Sequence, residues 1–102
     1  MARYRLRYHP LVRSRDIPRL DPPVRSRIRT AIERKLTDHP ESAAKPLAHT
    51  TQRLWSLRVG DWRVIFALRD DEIWILKIGH RRDVYADRAY PEPPDEGSVS
   101  EP

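Results

Sequence analysis

Apolar and polar residues alternate at the start of the chain, with Tyr4, Leu6 and Tyr8 on one face and Arg3, Arg5 and Arg7 on the other. A period of two predicts a strand with one buried side and one wet, cationic side, and Pro10 ends it. Residues 11–17 predict a short helix that Pro18 breaks or ends. The next start signal is stronger. Asp21 suits an N-cap and Pro22 the first helical position, and Val24, Ile28, Ala31, Ile32 and Leu36 follow at helical spacing. Lys35 complements the C-terminal end of the helix dipole, and Asp38-His39-Pro40 stops the helix. Residues 41–52 show little pattern and are expected to be a connecting loop. Three strand-like runs follow, Leu54 to Val59, Trp62 to Leu68 and Glu72 to Ile78, with turns at Gly60-Asp61 and Arg69-Asp70-Asp71. Connections this short make the runs an antiparallel meander. The order strand, helix, helix, strand, strand, strand predicts a small α+β domain with helices packed on one face of the sheet.

Parity assigns the faces. In the middle run Val64, Phe66 and Leu68 share the side expected against the helices, while Arg63, Ile65 and Ala67 share the other. Arg63 is therefore expected on the more open face, joined there by Arg58 from the neighbouring strand. Trp55, Trp62 and Trp74 read most simply as core or sheet-packing residues.

A chain of 102 residues allows one domain with one compact core. No apolar run approaches the roughly 18–20 residues of a membrane span, and the basic N-terminus lacks the apolar stretch of a secretory signal. The absence of cysteine excludes disulfides, a thiolate nucleophile and Cys-ligated metal, and points to the cytoplasm as the compartment. His9, His39 and His49 lack a ligand spacing, so no metal and no cofactor is expected.

Residues 91–102 hold four acids, four prolines and no base, so excluding them raises the formal net charge from +5 to +9. The expected division is therefore a folded domain over 1–90 and an acidic, proline-rich disordered tail over 91–102. Glu92, Asp95, Glu96 and Glu101 of that tail are candidates to fold back over a basic groove. The basic domain itself suggests a polyanionic partner. Arg25, Arg27, Arg29 and Arg34 cover much of the long helix; they are either simply solvated or in contact with RNA phosphates.

The densest polar cluster follows Gly79: His80, Arg81, Arg82, Asp83, Val84, Tyr85. Arginine suits phosphate because its planar fork donates in pairs and keeps its charge. Tyrosine stacks on bases, and histidine is the side chain that exchanges protons near neutral pH.

The run Leu54-Trp55-Ser56-Leu57-Arg58-Val59-Gly60-Asp61-Trp62-Arg63-Val64-Ile65-Phe66 resembles the central hairpin of the RelE/ParE superfamily of bacterial toxins. Ile78-Gly79-His80-Arg81-Arg82-Asp83-Val84-Tyr85 resembles that superfamily's C-terminal signature in its RelE branch, and Asp21 to Leu36 resembles its second helix. The likeness covers about residues 3–88. It implies a toxin of a type II toxin–antitoxin system, held by a cognate RelB-like antitoxin. It also implies a ribosome-dependent endoribonuclease that cuts messenger RNA through the RNA's own 2′-hydroxyl, leaving a 2′,3′-cyclic phosphate.

Carried onto this sequence, the resemblance makes Arg63 the stabiliser of developing phosphorane charge and Arg81 a neighbour of the scissile phosphate. It makes Tyr85 the residue that stacks on or orients the bent nucleotide. His80 is the candidate for proton transfer, since some branches of the family use histidines there. Arg53, Arg58, Arg82, Arg25 and Arg29 are candidate RNA or ribosome contacts. The best-known members carry lysines on the strand before the hairpin turn, where this chain has Leu54 and Ser56. That leaves the general base unassigned and keeps two alternatives open: a ParE-like gyrase inhibitor of the same fold, and a non-catalytic basic RNA-binding module.

Overall fold

The computed structural model describes residues 4–48, 53–86 and 89–94. Its frame is a five-stranded sheet in the order β1-β5-β4-β3-β2, with β1 at Arg5–Tyr8, β2 at Lys45–Pro46, β3 at Leu54–Val59, β4 at Trp62–Arg69 and β5 at Glu72–His80. The expected meander is β3-β4-β5, antiparallel throughout. β1 lies parallel to β5, so the first strand closes the sheet beside the last, after a crossover through the helices. Both meander turns have two residues, opened by Gly60 at φ 62° and Asp70 at φ 56°. Glycine reaches that left-handed region freely, and aspartate is among the few side chains that tolerate it.

The main helix, α1 (Pro22–Lys35), starts where the sequence places it. Asp21 is extended, and Pro22-Pro23 occupy the first helical positions, where a missing N–H costs nothing. Ile28, Ile32 and Leu36 are buried, with Val24 and Ala31 packed beside them. Before α1 the chain makes a π-helical turn, Val12–Asp16, that runs directly into a 3-10 turn, Ile17–Arg19. Pro18 does not end this segment; it sits in the opening turn of the 3-10 piece, where its fixed φ fits.

The stretch expected as a loop also differs. It contains α2 (Pro40–Ala43, entered from Pro40) and the two-residue β2, which pairs with Trp55 and Ser56. Non-local pairing makes β2, so local pattern could not show it. Residues 49–52 of that stretch lie outside the described residues.

The core has two sides. Against α1 and the preceding turns, Leu57, Val59, Val64, Phe66, Ile73, Ile75 and Ile78 join Val12, Leu20, Ile28, Ile32 and Leu36. Val64, Phe66 and the half-buried Leu68 thus lie on the expected side. On the other face Leu54, Ile65, Ala67, Trp74 and Leu76 are covered by Val84 of α3 (Arg81–Val84) and by Tyr90. Helices on one face therefore describes α1 and the turns, while the short α3 packs on the opposite side. Tyr90 is buried and donates its hydroxyl to the Val84 carbonyl at 2.8 Å, and Arg69 Nη1 donates to the Pro94 carbonyl at 3.2 Å. The first residues of the expected tail, Pro91 to Pro94, thus continue from a packed tyrosine to the far end of β4. Residues 95–102, including Asp95, Glu96 and Glu101, lie outside the described residues.

β5 carries one extra residue. Ile65 pairs with Lys77 and Phe66 with Ile75, leaving Leu76 bulged. Past the bulge the parity flips, so Ile78 enters the helix-side core and His80 faces the same side as Trp62.

Two acids are buried among the described residues. Glu72 accepts from Arg7 Nη1 at 2.8 Å and from Trp74 Nε1 at 3.0 Å, and Arg7 stacks over the Trp74 ring at 4.8 Å. Asp16 solves an edge problem. β1 ends opposite Ile75, so the β5 edge beyond it has no strand beside it. The Ile78 N–H donates instead to Asp16 Oδ2 at 3.0 Å, while Arg15 Nε donates to Oδ1 at 3.2 Å. The π-helical turn is thereby pinned to the segment that leads into His80 and Arg81.

Candidate functional site

The tight β3–β4 turn brings arginine residues together across the hairpin. Arg58 and Arg63 are cross-strand partners, one pair back from the turn. Like charges directly opposite each other destabilise a sheet, and among the described residues no carboxylate pairs with either. Arg63 curls back over the turn, its Nη1 donating to the carbonyls of Gly60 and Trp62 at 2.9 Å each. Asp61, the acid of the turn, serves Arg81: the Arg81 N–H donates to the Asp61 carbonyl at 2.8 Å, and Nε stands 3.8 Å from Oδ1. Both side chains of that ion pair are more than half exposed, so the backbone bond is what tethers α3 to the turn.

Tyr85, just past α3, reaches back to β3, where its hydroxyl lies 2.8 Å from Ser56 Oγ. Ser56 shares its face with Arg58 and Arg63 by parity. The structure thus brings Ser56, Arg58, Arg63 and Tyr85 onto one face, with Arg81 at its rim and the exposed Arg82 beside it. Guanidiniums and hydroxyls in this arrangement can bind and orient an anion, and Ser56 and Tyr85 share a hydroxyl proton.

His80 is placed differently. Its Nδ1 accepts the Arg82 N–H at 3.2 Å and caps α3, which leaves Nε2 as the nitrogen available to exchange a proton. Its ring meets Trp62 edge-on, centroids 5.5 Å apart, and Trp62 packs on the helix-side core. His80 therefore stands on the other side of the strand end from Arg63, in a cleft of about 460 Å³ shared with Asp16, Arg19 and Asp83.

Three of the expected RNA contacts lie elsewhere. Arg53 is at the opposite end of β3, lining a cleft with Trp55 and Leu68. Arg25 turns inward, its Nη2 donating to the Leu20 carbonyl at 3.1 Å and its Nε buried. Arg29 lines a separate apolar groove of about 300 Å³ with Tyr8, Ile28 and Glu33. The sequence pointed neither to Ser56 as the partner of Tyr85 nor to the position of Arg27, named there only among the helix arginines, whose guanidinium lies over Gly60. A Cβ placed on Gly60 would be 2.6 Å from Arg27 Nη2. The residue types carried no signal for either contact.

The shifted titrations lie outside this site. Burial, reinforced by Glu33, raises the Tyr8 phenol, and burial followed by Arg15 lowers the His9 imidazole. No group of three potential metal-ligating side chains occurs among the described residues, and none of their helices is long and apolar enough to cross a membrane.

Residues 6–85 match the family model of the ParE toxin of the type II toxin–antitoxin system parDE. The chain is a toxin of the RelE/ParE family. Among solved structures it is similar to the toxin–antitoxin complex RelBE2 from Mycobacterium tuberculosis, with 27% identity, a TM-score of 0.72, and coverage of 81% of this chain and 97% of that one. It is also similar to the archaeal RelE-RelB complex from Pyrococcus horikoshii OT3, with 28% identity, a TM-score of 0.56, and coverage of 78% and 96%. No curated protein matches. The likeness to RelE-type structures over nearly their whole length agrees with the five-stranded α+β fold of this RelE/ParE toxin.

Proposed function

We propose that this RelE/ParE toxin is a ribosome-dependent endoribonuclease acting on messenger RNA in the cytoplasm. The observation that carries the proposal is the opposed Arg58–Arg63 pair, free of any carboxylate among the described residues and set beside the Tyr85 hydroxyl. Two arginines placed opposite each other across the hairpin, with no carboxylate between them among the described residues, favour an anion at that face. In the proposed reaction the RNA 2′-oxygen attacks the adjacent phosphorus and the 5′-oxygen leaves, giving a 2′,3′-cyclic phosphate and a 5′-hydroxyl. Arg63 and Arg58 neutralise the phosphorane, Arg81 holds a non-bridging oxygen, and Tyr85, locked through Ser56, orients the bent nucleotide. His80 Nε2, across the strand end from Arg63, stands away from that phosphate, so the acceptor of the 2′-hydroxyl proton is not one of these side chains.

The ribosome supplies much of the positioning, which fits a site lacking lysines at Leu54 and Ser56. The partner that silences the toxin is an antitoxin of the RelB kind, as in both structural neighbours. A second proposal, inhibition of gyrase without RNA cleavage, is favoured by the match to the ParE model and by the same missing lysines.

Primer extension on messenger RNA from translating ribosomes, with wild type beside Arg81→Ala and Arg63→Ala, tests the proposal. Cuts that need the ribosome and vanish in both variants support it. Growth arrest without cuts moves the assignment to gyrase, and neither arrest nor cuts removes both.

A further inference from the structure

Arg27, Arg58, Arg63 and Arg81 meet around the Gly60-Asp61 turn, and they do not all belong to the site face. Arg27 reaches from α1 to lie over Gly60, on the turn whose carbonyl takes Arg63 and whose aspartate takes Arg81. From Arg27 the helix continues into an open groove of about 500 Å³ between α1 and the end of β3. Arg27, Arg34 and Lys35 line it with Ser26, Thr30 and Val59, and no acid among the described residues does. Arg27 and Arg34 lie on one stripe, about 11 Å apart along the axis at 1.5 Å per residue. The opposite flank of α1 differs in kind: Arg29 and Arg13 share their groove with Glu33 and an apolar floor, and Arg25 is turned inward. The flank that meets the hairpin turn thus carries its cations without an acid among the described residues, whereas the other flank holds Glu33 among its arginines.

We infer that the site continues across the Gly60-Asp61 turn onto this flank as one phosphodiester-binding band, in which Arg27, Arg34 and Lys35 hold the RNA backbone outside the cut. The inference rests on RNA being the ligand of the Arg58–Arg63 site. A guanidinium over the turn bridges the two basic surfaces, and the hydroxyls of Ser26 and Thr30 are further donors to phosphate oxygens. Contacts of this kind fix the strand's path without reading its sequence, and they release counterions.

The test is fluorescence anisotropy of a single-stranded RNA oligonucleotide on the full chain, titrated with salt. Wild type is compared with the triple variant Arg27→Ala/Arg34→Ala/Lys35→Ala and with Arg13→Ala/Arg29→Ala on the other flank. These sites are exposed and alanine favours helix, so the variants keep the fold, and circular dichroism melts verify it. Three lost phosphate contacts lower the slope of log affinity against log salt by about 2 and weaken binding about 100-fold near 0.1 M salt. The other-flank variant keeps the wild-type slope.

Equal slopes in all three proteins, equal losses in both variants, or no RNA binding by wild type at low salt would each overturn the band. Stronger competition by duplex DNA than by RNA would overturn RNA as its occupant. Failure of the cleavage proposal is separable. A protein that cuts nothing on ribosomes yet shows the slope difference retains the band and loses the nuclease; one that cuts with unchanged slopes does the reverse.

Discussion

Asp16 offers a sharp test of how the site is held. Its carboxylate is 5% exposed and takes the Ile78 N–H at 3.0 Å, where β1 has already ended. Replacing it with alanine leaves that backbone N–H buried without an acceptor and deletes a charge-assisted bond, together worth about 2–4 kcal/mol. Relief of the carboxylate's own desolvation returns part of this, so the expected net loss is about 2–3 kcal/mol. For a domain of this size that lowers Tm by about 10–15 °C. Asp16→Asn keeps an oxygen acceptor in the same shape and loses only the charge assistance, about 1 kcal/mol. Urea unfolding is the assay, with the midpoint shifting at constant slope. Hydrogen exchange adds a local readout: the Ile78 amide loses protection in the alanine variant beyond the global change. A loss below about 0.5 kcal/mol for alanine, or an asparagine variant as damaged as alanine, refutes the edge-capping argument.

Other consequences follow from the same geometry. Gly60→Ala forces a side chain into the left-handed region and against the Arg27 guanidinium, so a loss of about 1–2 kcal/mol is expected by urea unfolding; a neutral result contradicts the turn conformation. His9 is held below its ordinary pKa by burial and Arg15, and its Nδ1 accepts the Leu11 N–H. The unfolded chain therefore binds the extra proton first, so this contribution to stability is full above pH 6.5 and is lost as pH falls from there through the lowered folded value. Replacing His9 with glutamine should flatten the Tm profile over that acidic window, and an unchanged profile would remove His9 as its source.

The folding pattern was legible wherever one residue's neighbours are local. The period of α1, its Asp21-Pro22 start and the parity of β4 needed only spacing, because each element buries one face against a continuous core. The Leu76 bulge was not legible. Ile73-Trp74-Ile75-Leu76 is apolar on both faces, so an extra residue leaves no mark in the alternation, yet it moves His80 to the side away from Arg63. The cover over the second face was hidden for a related reason. Val84 and Tyr90 look like members of a polar signature and a tail boundary, and only the bent path after β5 buries them. Within the candidate site, Arg63, Arg81 and Tyr85 could be named from the sequence and Ser56 could not, since its hydroxyl matters only through a partner 29 residues away.

In the proposed reaction the Arg63, Arg81 and Tyr85 cluster directs an RNA 2′-hydroxyl onto its neighbouring phosphate. Its most direct test uses ribosomes programmed with a defined message, either all-ribose or carrying a single 2′-deoxynucleotide at the mapped cut. The first message is expected to be cut to a 2′,3′-cyclic phosphate and the second to stay intact. Cleavage of the deoxy-substituted position, or no cleavage of either message while gyrase is inhibited, would contradict it.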